Sequence, residues 1–165
     1  MSRPTLESSL LALAQQYHRI CFVVAAHGAG LTATLSELAT RIDTPVISLG
    51  ALFSEALLDL TVSERRLRAT RVLADLVDPQ RDRVVIDSIE VLFAPTLALD
   101  PVAVLSQIAR HRTLIVSWPG TWDGQRLSYA EPGHPEHKLY DTNQVMVLPL
   151  ADLRSLLATS PSEPS

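Results

Sequence analysis

A single cysteine, Cys21, is all that the chain carries, which excludes an intramolecular disulfide and any metal site built from several cysteines. It lies in the apolar run "RICFVVA" (Arg19–Ala25) and reads as a buried, inert thiol. Aromatic residues are scarce, at 5%, so the core has to be layered from Leu, Val and Ala. No apolar stretch is long enough to span a bilayer, because Gln15, Gln16, His18 and Arg19 interrupt the longest one near the N-terminus. The same region lacks a basic start, an apolar stretch and a small-residue cleavage site in series, so the expectation is no membrane association and cytoplasmic residence. Excess positive charge is also missing. A formal net charge of -4 gives no general attraction to nucleic-acid backbones and leaves only local basic patches.

What is present fits one globular domain. The 165 residues are 47% hydrophobic and 19% charged, enough for a full-sized core. We expect a single α/β domain over residues 1–158, with a polar, Pro-containing tail, 159–165, that is disordered. Helical spacing of Leu6, Leu10, Leu13 and Tyr17 predicts an N-terminal helix over 6–17. "RICFVVA" is a buried strand, and a helix over 31–42 presents Leu35, Leu38 and Ile42 on one face. "TPVISL" is a second strand, followed by a helix over 50–60. Thr61 and Glu64 form a capping box that opens the next helix, which Asp78-Pro79 ends. "RVVID" (Arg83–Asp87) is a third strand, and Asp100-Pro101 starts a helix that runs to about Arg110. "TLIVS" (Thr113–Ser117) is a fourth strand. A long irregular excursion with a tight turn at Asp123-Gly124 leads to a fifth, "VMVLP" (Val145–Pro149), and a short terminal helix. Short aliphatic strands alternating with helices predict a doubly wound, mainly parallel five-stranded sheet with helices on both faces.

One loop carries a chemical pattern. "VVAAHGAGLT" (Val23–Thr32) runs from a strand into a helix and follows the outline G-x-x-x-x-G-K-[ST]. Such a loop surrounds phosphates with backbone N–H groups at a helix N-terminus. His27, Gly28, Ala29, Gly30, Leu31 and Thr32 are the candidate nucleotide-binding residues, and the Thr32 hydroxyl stands where magnesium would be reached. Ala25 replaces the first Gly and Leu31 replaces the Lys, a degenerate Walker A pattern. A hydrogen bond to a charged group is worth ~1.5–3 kcal/mol, so nucleotide binding roughly ten- to a hundredfold weaker than with an intact loop is expected. The competing reading is a tight strand-to-helix turn that never meets nucleotide.

The third strand ends in Asp87, the place of a Walker B carboxylate holding magnesium beside the phosphates. ATPases of the additional-strand division put a Glu directly after that Asp; here the place is Ser88, and the nearest acid is Glu90. Asp87 and Glu90 are therefore the candidate catalytic residues, with Glu90 open to a second reading as a surface carboxylate. Ser117 stands where such ATPases place a polar water-sensing residue, or is an ordinary strand-end serine. ATP with magnesium is the cofactor this pattern implies, with Thr32 and Asp87 on the metal side.

Four further segments occur in order: "DSIEVLF" (Asp87–Phe93), "LDPVAVL" (Leu99–Leu105), "RHRTLIVSWPG" (Arg110–Gly120) and "LSYAEPGHPEHKLY" (Leu127–Tyr140). Together, over roughly Val23 to Tyr140, the chain resembles the BrxF family, small P-loop proteins of type 3 BREX phage-defence systems. The resemblance implies a P-loop NTPase fold of the additional-strand, AAA-like type. It also implies work inside a multiprotein antiphage complex whose members include a large ATPase, a methyltransferase, a helicase and a PglZ-type protein. The family has Gly and Lys where this chain has Ala25 and Leu31. The function expected is therefore a P-loop-derived module acting through assembly with such partners and with itself, with weak nucleotide binding. The alternative is a slow ATPase completed by a neighbouring subunit, with Arg110 or Arg112 as an arginine finger; as cations near a helix C-terminus, both also have a purely structural reading.

Three other features remain. Arg65, Arg66, Arg68 and Arg71 lie on one predicted helix and are the best candidate contact for nucleic acid or an acidic partner, although such a face is usually only solvated. His134 and His137 in "GHPEH" lack further ligands at metal-site spacing, and Pro132, Gly133 and Pro135 fit a rigid recognition loop instead. Trp118 and Trp122 are either exposed contact residues or packed against the sheet edge.

Overall fold

Strands buried on both sides should carry aliphatic residues at consecutive positions, and the central strands do. A computed structural model describes residues 4–26, 28–77, 82–129 and 138–158. In β1 (Ile20–Ala25), Ile20, Phe22 and Val24 join one apolar layer while Cys21 and Val23 join the other. β3 (Arg83–Asp87) and β4 (Thr113–Trp122) divide in the same way, with Val84, Ile86, Leu114 and Val116 on one side and Val85 and Ile115 on the other. β2 (Val46–Ser48) and β7 (Met146–Pro149) complete a parallel sheet in the order β2-β3-β4-β1-β7. Burial pushes the Cys21 thiol up to about 12, which keeps it protonated and unreactive.

Helices cover both faces, as the strand pattern requires. Leu13 of α1 (Leu6–Ala14), Leu35 and Leu38 of α2 (Leu31–Arg41), and Leu150, Leu153 and Leu157 of α6 (Leu150–Ala158) fill one side. Phe53 of α3 (Leu49–Leu57), Leu73 of α4 (Val62–Leu76) and Leu105 of α5 (Pro101–Ile108) fill the other. The capping box forms in both directions: the Glu64 amide donates to Thr61 Oγ1 at 3.1 Å, and the Thr61 amide donates to Glu64 Oε1 at 2.9 Å. Asp100 caps α5 by accepting from the Ala103 amide at 3.1 Å. Among the described residues, no helix is long and apolar enough to cross a membrane.

The structure departs from the sequence expectations in four places. The first helix stops at Ala14, so Tyr17 is not on it; that ring is exposed, with the Arg110 guanidinium 4.9 Å above its centre. The helix predicted over 50–60 runs from Leu49 to Leu57, because Arg65 reaches back to the Leu58 and Leu60 carbonyls and closes the chain into a turn. β4 does not end at Ser117. It continues to Trp122 and turns at Gly124 (φ +98) into β5 (Arg126–Tyr129), which pairs with β6 (Lys138–Asp141). Among the described residues the sheet thus has seven strands, not five, since the excursion after Ser117 supplies an antiparallel extension. At its base a Cβ on Gly120 would lie 2.0 Å from the Ser128 carbonyl, so only glycine permits the close pairing.

That extension also decides Trp118, which is fully buried rather than an exposed contact. Strand alternation sets it on the same face as Leu114 and Val116. It makes edge contacts with Phe22, Phe93 and Tyr140, and its indole N–H donates to the Ser128 carbonyl at 3.0 Å. Trp122 is half-buried on the same hairpin. The Asp78-Pro79 stop, the Gly133–His137 loop, His27 and the 159–165 tail lie outside the described residues.

Candidate functional site

Parallel strands bring their C-terminal ends to one edge of the sheet, where ligands of open α/β folds bind. Here the ends of β1, β3 and β4 place three predicted site elements around one cleft of about 220 Å³. From β1 comes the loop. Ala29 N–H donates to the Ala26 carbonyl at 3.2 Å, and both Gly28 (φ +85) and Gly30 (φ +91) are left-handed, a conformation glycine adopts without strain. Gly30 is the N-cap of α2 and provides no capping side chain. The first-turn amides of Leu31, Thr32 and Ala33 therefore have no acceptor within the helix. No acidic residue occupies that first turn to offset the positive end of the helix dipole.

Asp87 ends β3 and faces the same cleft. It is only 7% exposed, and its Oδ1 accepts from the Ser88 amide at 2.9 Å. That bond accompanies a left-handed Ser88 (φ +62), a non-glycine conformation costing on the order of 1 kcal/mol. Strain of this kind persists where the surrounding structure holds it in place. Here the residue is fixed directly behind the buried carboxylate.

Ser117, the last parallel residue but two of β4, stands in register with Val23. It is 2% exposed and lines the cleft. Glu90 reaches the cleft from a 3-10 turn, Glu90–Phe93, and is exposed. It accordingly fits both readings, a cleft carboxylate and a solvated one. Gly28, Gly30, Leu31, Thr32, Asp87, Glu90 and Ser117 all line one space. Ala29 belongs to the loop, but its side chain does not line the cleft.

The donor set suits a small hard cation rather than a protein-built metal centre. Among the described residues no three His, Cys, Asp or Glu side chains come together. The Thr32 hydroxyl and the Asp87 carboxylate are two hard oxygens facing the same cleft, the sparse protein ligation that magnesium accepts when phosphate and water complete its shell.

Other candidates are placed elsewhere. Arg110 and Arg112 precede β4 at the opposite end of the sheet, about 16 Å of extended strand from Ser117. Neither reaches the cleft of its own chain. Two of the four α4 arginines are engaged with backbone: Arg65 as described, and Arg66, whose Nε donates to the Thr96 carbonyl at 3.4 Å. Arg71 makes an exposed 3.9 Å pair with Asp75. The four do not form one unengaged basic face.

Sequence reasoning missed Arg154. It stands on α6, and its Nη2 donates to the Ala29 carbonyl at 2.6 Å while its Nε donates to Thr34 Oγ1 at 3.4 Å. A Cβ on Gly30 would lie 2.8 Å from the same Nη2. The only sequence signal was one cation in an otherwise apolar-faced terminal helix, "LADLRSLLA". No family model, curated protein or solved structure matches this chain.

Proposed function

We propose that the chain is a P-loop-derived nucleotide-binding module that works by assembly with partner proteins, in a BREX-type antiphage complex. The observation that carries the nucleotide reading is the meeting of three groups across one cleft. These are a doubly left-handed glycine loop at an uncapped helix N-terminus, the buried Asp87 carboxylate and Ser117, a buried residue that lines the cleft. Strand order supports the P-loop type. β4 stands between β1, which carries the loop, and β3, which carries the acid, as the inserted strand of the additional-strand division does. The assignment to phage defence rests on the sequence resemblance between Val23 and Tyr140.

The binding chemistry follows from the residues. First-turn amides of α2 receive the phosphate oxygens, Thr32 and Asp87 would hold magnesium, and Ser117 donates to a phosphate or to the water near it. Magnesium, when bound, neutralises charge on the phosphates. The cleft of about 220 Å³ is smaller than the ~300 Å³ lower bound of common ligand pockets, so it takes the phosphates and leaves base and ribose outside. Weak base selectivity follows. Without the loop lysine, and with Glu90 outside the position that normally activates water, the module binds more readily than it hydrolyses. It acts as a conformational component of a larger assembly, with a large ATPase and further copies of itself as partners.

A slow ATPase completed in trans is the second reading, favoured by Glu90 lining the cleft; an arginine finger would then have to come from a neighbouring subunit, since Arg110 and Arg112 do not line the cleft of their own chain. One experiment separates the two. Magnesium-ATP is titrated calorimetrically, and hydrolysis is assayed with and without the large partner ATPase. Binding without turnover is expected. Release of several phosphates per minute, lost in Asp87→Ala, would favour the enzyme. No heat at millimolar ATP would end both.

A further inference from the structure

We propose that the groove between the outer edge of β6 and helix α5 docks an extended, lysine- or arginine-bearing peptide segment of a partner protein, which adds a strand to β6. The groove shares no lining residue with the loop cleft, so this site stands whether or not nucleotide binds.

Backbone pairing leaves the edge open. Among the described residues β6 pairs only with β5, in antiparallel register with Leu127 opposite Tyr140. Just beyond it, the Thr142 amide donates to the Gln125 carbonyl at 3.2 Å. In an antiparallel ladder every second residue turns its N–H and C=O toward the same neighbour, so Tyr140 and Lys138 face β5 as Thr142 does. The N–H and C=O of Leu139 and Asp141 therefore point the other way, toward an edge that no described strand occupies. An edge of this kind is a template for a further strand.

The groove lies along that edge. Side chains alternate across a strand, so a cavity against one face would be lined by alternate residues; here the consecutive Leu139, Tyr140 and Asp141 all line it. The facing wall is α5, through Val102, Ala103, Ser106 and Gln107, which share one side of the helix. The space measures about 550 Å³, inside the range of common ligand sites, and an added strand lies ~4.8 Å from its neighbour. A strand on one side and a helix on the other admit a single extended segment, the geometry of peptide recognition by strand addition. A second copy of this chain would bring its own α5 with its β6 edge, and the two helices would meet before the edges did.

The lining sets the chemistry of the occupant. Its carboxylates are Asp100 and Asp141, and no Lys or Arg lines it. Asp100 accepts from the Ala103 amide, and Asp141 pairs with Arg126 at 3.4 Å. A carboxylate accepts several hydrogen bonds, so both keep capacity for a peptide cation. Leu139, 52% exposed, offers an apolar contact beside them. Tyr140, also in the lining, has a buried hydroxyl with no hydrogen-bond partner. Burial, with Asp100 and Tyr129 adding to it, pushes this phenol up to about 12, so it stays protonated. A buried polar group without a partner is costly, which marks this end of the groove as incomplete.

The test pans a phage-displayed random heptapeptide library on the full chain and measures the synthesised winners by fluorescence polarisation. Amide hydrogen exchange is followed by NMR with and without peptide. Recovered peptides should carry a Lys or Arg, and binding should slow exchange at the Leu139 and Asp141 amides at least ~10-fold. The double variant Asp100→Asn/Asp141→Asn, in which Asn can still cap α5, should weaken binding roughly fivefold and flatten its salt dependence. Ala103→Trp, a change at an exposed residue of the α5 wall, should weaken it at least ~10-fold by filling the groove. Failure to recover any binding peptide overturns the inference, as do unprotected Leu139 and Asp141 amides in the wild-type complex, whatever the variants do. Equal binding of peptides with and without a cation refutes the chemistry stated for the occupant. A concentration-dependent dimer that protects the same amides without peptide makes the occupant a second copy and overturns it too. Absence of magnesium-ATP binding ends the nucleotide reading and leaves this one standing.

Discussion

Replacing Gly30 by alanine perturbs two separable things, and Gly28 provides the control. Both glycines are left-handed, at φ +91 and φ +85, so an added Cβ costs each ~1–2 kcal/mol of backbone strain. At Gly28 the new methyl meets nothing within 4 Å, while at Gly30 it lies 2.8 Å from Arg154 Nη2 and displaces it. The displaced bond to Ala29 is charge-assisted, but Arg154 is exposed, so we discount it to ~1 kcal/mol. At this chain length ~1 kcal/mol moves the melting temperature by ~2–4 °C. Gly28→Ala should therefore lower it by about 4 °C and Gly30→Ala by about 7 °C, followed by circular dichroism without ligand. In an Arg154→Ala background the two substitutions should cost the same, giving a coupling energy of ~1 kcal/mol for residues 30 and 154. If the gap is absent in the wild type, or persists without Arg154, the guanidinium does not sit on the loop.

Leu31→Lys should tighten magnesium-ATP binding roughly ten- to a hundredfold, read by calorimetry; an unchanged affinity would mean that residue 31, whose leucine also leans on the α2–α6 apolar layer, does not face the phosphates. Trp118→Phe removes the indole bond to Ser128 and part of a fully buried ring. It should cost ~3 kcal/mol in urea unfolding, and a loss below ~1 kcal/mol would contradict the buried placement. Acid should destabilise the fold in a defined direction. Backbone amides hold Glu64, through Thr61, and Asp123, through Gln125 and Arg126, below the ordinary carboxylate range. Between the ordinary and the folded values the unfolded chain binds more protons, so stability rises with pH there. It should be fully present above about pH 5 and fall as pH drops below ~4, and Glu64→Ala with Asp123→Ala should flatten that fall in melting scans.

Much of this protein was legible in its local pattern. Aliphatic runs named four of the five parallel strands to within a residue or two, because residues buried on both faces of a sheet have few polar alternatives. Thr61, Glu64 and Asp100 announced helix starts for a purely local reason, since each caps an amide three residues away or accepts one. The glycine loop and Asp87 were likewise visible, being fixed by strand ends and by backbone conformations that few residues tolerate.

What pattern alone did not reach depends on pairing across the chain. The β4–β5–β6 extension has short, mixed strands whose only shared property is their register, so it read as an irregular excursion. Trp118 was ambiguous until that hairpin folded over it. Arg154 stands 125 positions from the carbonyl it grips, and no spacing rule connects the two. Local sequence determined the strands, the caps and the shape of the loop, because those obey backbone sterics and nearest-neighbour hydrogen bonds. Only the packing of α6 beside α2 decided which charge meets the loop, because electrostatic partners are chosen by distance in space rather than along the chain.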